Sequence, residues 1–163
     1  MIAAVFDCMV FLQAATSEHG PALACLELAE QQRIVLHISP AILAEVRDVL
    51  TRPKLQTRFP HLTPSRVDLF LLKLASFAIR ANSVPDVGFP IRDANDLPYL
   101  QPAIASGAQF LVSRDRDLLD LQADPSFLSR FPDLRFVDPV EFLVKVRQSQ
   151  PTISPSSNLG DPQ

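Results

Sequence analysis

The chain has too few cysteines, glycines and long apolar runs to belong to several common classes of protein. Two cysteines in 163 residues, Cys8 and Cys25, cannot build a disulfide scaffold, and with the three histidines they lack the spacing of a zinc site. Both read as buried hydrophobes, and a reducing cytoplasm is the simpler setting. The four glycines stand apart, which leaves no phosphate-cradling loop. No apolar run approaches the roughly 18 residues of a membrane helix, so a soluble protein with no membrane partner is expected. The apolar opening at residues 1–15 has no Lys or Arg ahead of it and carries Asp7 in its middle, unlike a secretory leader. Basic residues are not in excess either. At a net charge of −3 there is no global positive field of the kind a dedicated nucleic-acid-binding domain presents. A carboxylate site that holds cations hides part of its charge once loaded, so nucleic acid is not excluded.

What the chain does have is proline, fifteen residues in all, many of them at segment ends, as at Pro21, Pro40, Pro53, Pro64, Pro90 and Pro139. Between these stops, residues 2–6 form an unbroken apolar strand of the type covered on both faces. A helix follows over 21–32 and a strand over 34–38. Ser39 caps a helix over 40–50 with Pro40 in its first turn. Residues 51–60 read as a polar, basic connection, and Thr63 caps a helix over 64–79. That helix is apolar over most of its circumference, Leu69 and Leu72 included, so it is either central in the fold or partly buried in a partner, which points to self-association or a docked partner. A short strand lies within 78–84, a helix over 96–106 closed by Gly107, a strand over 109–113, a short helix over 115–121, a strand over 134–137 and a closing helix over 139–146. From Gln148 the composition turns to Ser, Pro, Asn, Gly and Asp, so one domain over 1–147 and a disordered tail over 148–163 are expected. The alternation predicts an α/β fold, a three-layer α/β/α sandwich around a mainly parallel sheet of four to five strands.

Four acids stand out by position. Asp7 follows the first strand, Glu45 sits on the second long helix, Asp96 starts a later helix, and Asp115 lies just past a later strand. Parallel α/β sheets gather their chemistry beyond the carboxyl ends of strands, so these side chains can converge on one edge. Carboxylates that close repel and raise one another's pKa, and a hard divalent cation is the natural filler. Magnesium or manganese suits an all-oxygen set; zinc would want His or Cys. Taken singly, Asp96 and Glu45 read more readily as solvated or dipole-favouring charges. Asp7 does not, being a charge inside an apolar stretch. Asp93, Asp117 and Asp120 read as loop or cap residues, with Asp117 the best of them for a supporting role behind the ligands. An aspartyl-phosphate site would also place an Asp after the first strand, but commonly adds a second two residues on, where this chain has Met9.

The pieces Val5-Phe6-Asp7, Ile38 through Leu50 with Ser39-Pro40 and Glu45 in it, Arg52-Pro53-Lys54, Asp93-Ala94-Asn95-Asp96-Leu97-Pro98-Tyr99-Leu100, Ser106 through Leu119 with Ser113-Arg114-Asp115 in it and the closing 137–143 run in one order along the chain. In that order they resemble the PIN domain (PilT N-terminal domain), and in particular its VapC-like branch of toxin components in bacterial toxin–antitoxin systems. The resemblance implies a metal-dependent endoribonuclease whose Asp7, Glu45, Asp96 and Asp115 are catalytic and bind one or two Mg²⁺ or Mn²⁺ ions. It also implies single-stranded or structured RNA as substrate, a cognate antitoxin as partner and a homodimer or higher oligomer. Ser113 matches a small hydroxyl residue near the last acid, in a supporting role. Arg52, Lys54 and Arg114 are the first candidates for substrate phosphates, with Arg47, Arg58 and Arg116 behind them. Two features depart from the pattern. Cys8-Met9 stands where Thr or Ser and then Asn usually follow the first acid, so a non-catalytic binding or scaffold module is the alternative reading, and Pro102 falls inside the helix after Asp96.

Overall fold

The computed structural model describes residues 1–81, 86, 88–90 and 94–151. Its centre is a sheet of five strands, β1 Ala3–Phe6, β2 Val35–Ile38, β3 Ile79–Arg80, β4 Phe110–Val112 and β5 Arg135–Val137, in the order β3-β2-β1-β4-β5. Every neighbouring pair is parallel. β1 lies in the middle, with Phe6 level with Val112 of β4 and Ala4 level with both Leu36 of β2 and Phe110 of β4. Ala4, Val5 and Phe6 are wholly buried, as a strand covered on both faces requires.

Nine α-helices flank the sheet among the described residues, eight of them between strands. α1 Cys8–Thr16 and α2 Pro21–Glu30 lead from β1 to β2; α3 Pro40–Leu50, α4 Pro53–Arg58 and α5 Pro64–Phe77 lead on to β3. α6 Leu97–Ala105 precedes β4, α7 Arg116–Asp120 and α8 Pro125–Arg130 follow it, and α9 Pro139–Ser149 follows β5. The recurrent start signal is a capping oxygen followed by proline. Ser39, Thr63, Asp124 and Asp138 each accept a backbone N–H from the first turn of the helix they begin, satisfying a donor that has no intrahelical partner while proline occupies a position where no donor is needed. α6 continues through the buried Pro102 and ends in a Schellman motif: Gly107 takes φ +65°, Ala108 N–H donates to Ala103 O at 2.9 Å and Gly107 N–H to Ile104 O at 3.2 Å.

Aromatic packing fixes the layers. Phe142 of α9 sits edge-on to Phe6 and Phe110, with ring centroids 5.7 and 5.5 Å apart, and Phe11 of α1 joins Phe6 at 5.9 Å. Successive strand residues alternate faces, so Leu111 and Phe136 point the other way. On that side Phe127 of α8 meets Phe136 at 5.3 Å, and the crossover helix α6 packs on β1, β2 and β4.

The expected α/β/α sandwich is present, with several local differences. Residues 53–58, expected as part of a connection, form α4, and 8–16 and 125–130 form α1 and α8, which the periodicity did not reveal. α5 stops at Phe77, because Ile79 pairs with His37 of β2 at the sheet edge. α9 takes in Gln148 and Ser149, which were expected in the tail. Asp93, residues 82–84 of the expected short strand and residues 152–163 of the expected tail lie outside the described residues.

Candidate active site

The chain leaves β1 toward β2 on one side, while β4 pairs on the other. The crevice at such a reversal of strand order, beyond the carboxyl ends, is where open parallel sheets bind their ligands. Asp7 is the first residue past β1. Its own N–H continues the ladder to Val112 O of β4 at 3.0 Å, and its Oδ1 caps α1 by accepting Val10 N–H at 3.1 Å. Oδ2 accepts the Ser113 hydroxyl. The side chain is only 4% exposed. Burial holds its pKa above the usual 3.8 and the Asp115 charge adds to this, while the hydrogen bonds from Ser113 and Val10 act the other way.

Ser113, fully buried past β4, ties two acids together. It donates to Asp7 and accepts Asp115 N–H at 2.9 Å. Asp115 in turn caps α7, its Oδ1 accepting Asp117 N–H at 2.9 Å. The other two acids arrive on helices. Glu45 lies in the second turn of α3 and Asp96 ends the 3₁₀ turn Ala94–Asp96 that opens α6. Asp96 is 6% exposed. Tyr99, one turn further along α6, donates its hydroxyl to Glu45 Oε2.

All four acids line one open cleft of about 580 Å³, together with Arg52, Lys54, Arg58, Asn95 and Tyr99. Its apolar wall is Leu12, Val49, Leu55 and Leu118. Of the sequence candidates, the cleft thus unites Asp7, Glu45, Asp96, Asp115, Arg52 and Lys54, with Ser113 directly beneath. Asp117 contributes through its backbone N–H; its side chain lines a neighbouring acidic groove with Asp120 and Asp124. Arg114 is not part of the cleft and lines a separate groove with Gln13, His19 and Pro21. Tyr99 and Asn95 were not singled out from the sequence. For Tyr99 the signal was helical spacing, since it lies three residues past Asp96 and so comes up on the same face; Asn95 carried no such signal.

Burial disfavours the thiolate at both cysteines. Burial pushes the Cys8 thiol up to about 12, with the Glu45 and Asp7 charges adding to the effect, and burial likewise pushes Cys25 up to about 12. The cleft's donors are therefore oxygens, the set that suits a hard divalent cation. Among the described residues no three His, Cys, Asp or Glu side chains stand close enough to hold an ion as they are. Two of the carboxylates are engaged by hydroxyl donors instead. The residues fit such a cation by chemistry and by shared cleft, and burial of the Asp7 charge beside Asp115 is a cost that a cation would relieve.

Fold and site together define a parallel α/β/α protein with an acidic cleft at the switch point of its sheet. The model of the PIN domain matches residues 3–117, most of the chain, and the chain belongs to that family. It is similar to an uncharacterized protein of Methanocaldococcus jannaschii, 28% identical over 128 residues that span 78% of this chain and 79% of that protein. Among solved structures it resembles VapBC2 from Rickettsia felis, crystallised with a DNA fragment from their promoter, at a TM-score of 0.51 and 19% identity over 84% of this chain and 98% of that one. A Pyrobaculum aerophilum protein gives a TM-score of 0.53 and 17% identity over 90% of each chain. At these identities the structural likeness concerns the fold.

Proposed function

We propose that this chain is a metal-dependent endoribonuclease that hydrolyses RNA phosphodiester bonds, and the toxin of a toxin–antitoxin pair. The observation that carries the reading is the common cleft of Asp7, Glu45, Asp96 and Asp115, rimmed by Arg52, Lys54 and Arg58. The four acids would hold one or two Mg²⁺ or Mn²⁺ ions. Divalent cations there supply Lewis acidity, which makes water a competent nucleophile near neutral pH and offsets charge on the phosphate oxygens. The chain's own residues do the positioning. Ser113 fixes Asp7 relative to Asp115, so the two acids past β1 and β4 keep a constant relation. Lys54 and Arg58 have no acidic partner among the described residues and are available to the phosphates, whereas Arg52 shares its charge with Asp48 at 2.8 Å. The apolar wall lowers the local dielectric, so each of these charges acts more strongly than in open water.

The family resemblance and the likeness to the VapBC2 fold support an antitoxin as partner. Leu69 and Leu72 on α5, 64% and 68% exposed, support a docking or dimer surface there. A binding module without catalysis has one observation in its favour, the apolar Met9, 46% exposed at the cleft. Incubation of the purified protein with labelled single-stranded RNA separates the two. Cleavage with Mn²⁺ or Mg²⁺ that stops with chelator and in Asp7→Asn and Asp96→Asn is the expected result; RNA bound but left intact under all metal conditions would establish the module instead.

A further inference from the structure

Tyr99 is the single tyrosine of a chain that has no tryptophan, and it stands in the cleft. Its ring is 5% exposed, and its hydroxyl spans from α6 to α3 to donate to Glu45 Oε2. Cys8 lies against the same hydroxyl. This is the one hydrogen bond to the Glu45 side chain among the described residues, and Oε1 has no donor among them. A glutamate on a helix surface has three free torsions and loses substantial rotamer entropy when a ligand fixes it. A buried phenol that grips one oxygen removes that freedom in advance. Carboxylates that ligate metals are commonly held by such a partner, and its loss costs about 10–100-fold in metal affinity.

We propose that Tyr99 is a positioning residue for the cation site: it anchors Glu45 through Oε2 and leaves Oε1 for the ion, so its phenol senses whether the site is loaded. The inference rests on the metal-dependent reading above and adds to it a residue and an optical signal. A phenol donating to a carboxylate emits weakly, because the excited state passes its proton to the acceptor. When a cation shares the Glu45 charge, that acceptor weakens and tyrosine emission rises. With one tyrosine and no tryptophan, the whole signal comes from this position.

The test uses the full chain and Mg²⁺ alone. By calorimetry the Mg²⁺ dissociation constant of Tyr99→Phe is expected to rise about 10–100-fold over wild type, at a melting temperature that shows the ring still packed. In parallel, tyrosine emission of the wild type is expected to increase saturably with Mg²⁺, and Glu45→Gln is expected to be bright without Mg²⁺ and unresponsive to it. Wild-type Mg²⁺ affinity in Tyr99→Phe overturns the proposal. So does flat emission in wild type that calorimetry shows to be taking up Mg²⁺, an outcome that stands even if Tyr99→Phe fails to fold. A wild type that binds no Mg²⁺ at all is a different result: it removes the metal-dependent reading itself, and this inference with it.

Discussion

If RNA lies along the basic rim of the cleft, its salt dependence can be counted from the structure. Lys54 and Arg58 stand four residues apart on α4, hence on one face, and both line the cleft without an acidic partner among the described residues. Arg52 beside them is held by Asp48 at 2.8 Å and has less charge to give. Each phosphate neutralised on a single strand contributes about −0.7 to the slope of log affinity against log salt, so two contacts predict a slope of about −1.4. Raising salt from about 50 to about 200 mM then weakens binding about sevenfold. Lys54→Ala is expected to halve the slope to about −0.7, and Lys54→Ala with Arg58→Ala to leave it nearly flat. Alanine is the best helix former, so α4 survives the change. Arg114→Ala, in the separate groove, is expected to leave the slope at the wild-type value. The assay is fluorescence anisotropy of a labelled single-stranded RNA in chelator, so that the strand is bound and not cut. A slope that persists in the double variant, or that falls with Arg114→Ala, refutes the placement of the strand along α4.

Asp7 gives a prediction of stability against pH in metal-free protein. Its folded-state pKa is raised above 3.8, so its contribution is fully present below that unfolded value and is lost as pH rises through the folded one. Asp7→Asn keeps an α1 cap and is therefore expected to melt above wild type at pH 7, with the gain vanishing in acid; circular dichroism melts in chelator check it, and a lower melting point at pH 7 would contradict the sign. Phe142→Ala empties the junction of α9 with Phe6 and Phe110, fully buried in the native state, and is expected to cost about 3–5 kcal/mol by chemical denaturation. Replacing both Leu69 and Leu72 by Lys is expected to shift sedimentation toward monomer at unchanged melting temperature. A wild type that is already monomeric at every concentration would remove the case for self-association through α5.

The strands and the long helices were legible because each obeys a single local rule. β1 and β4 are short unbroken apolar runs because both faces are covered, and α3 and α5 announce themselves by a capping hydroxyl, a proline and an apolar stripe. α1 was hidden for a physical reason: Cys8, Val10, Phe11 and Ala14 are buried and little of its surface is polar, so no period stands out. α4 is six residues long with none buried, too short for any stripe, although Pro53 in its first turn is the same mark that reveals α3. Asp7, Asp96 and Asp115 drew attention by lying at strand ends and helix starts, Glu45 by its place beside the stripe of α3 and Ser113 by the family resemblance, but which acid each hydroxyl would meet was not legible. The links from Ser113 to Asp7 and from Tyr99 to Glu45 cross 106 and 54 positions of sequence, and only the crossing of β4 beside β1 and of α6 beside α3 creates them. Arg114 shows the converse limit, since adjacency to Asp115 in sequence says nothing about which side of the strand end a long side chain takes.

At Cys8-Met9 the chain departs from the pattern it resembles, and the cleft draws its donors from elsewhere. The pattern this chain resembles puts a hydroxyl and then an amide directly after the first acid. Here the thiol of Cys8 is buried and pushed up to about 12, a weak donor that cannot substitute for either. Yet the two carboxylates nearest to it are not left bare. Asp7 receives the Ser113 hydroxyl from the end of β4, and Glu45 receives the Tyr99 hydroxyl from α6. What a buried or half-buried carboxylate needs is a directed donor on one oxygen, and the residue that follows it in sequence is only one possible source. The site is therefore built as two hydroxyl-anchored halves. In one, Ser113 joins Asp7 to Asp115 across β1 and β4; in the other, Tyr99 brings Glu45 of α3 to the helix that begins on Asp96. With Cys8 in place of a local donor, the Ser113 and Tyr99 hydroxyls still each reach a carboxylate, so metal affinity is expected to follow Ser113 and Tyr99 more closely than Cys8. A Cys8→Thr change that raised Mg²⁺ affinity as much as Tyr99→Phe lowers it would show that ordering to be wrong.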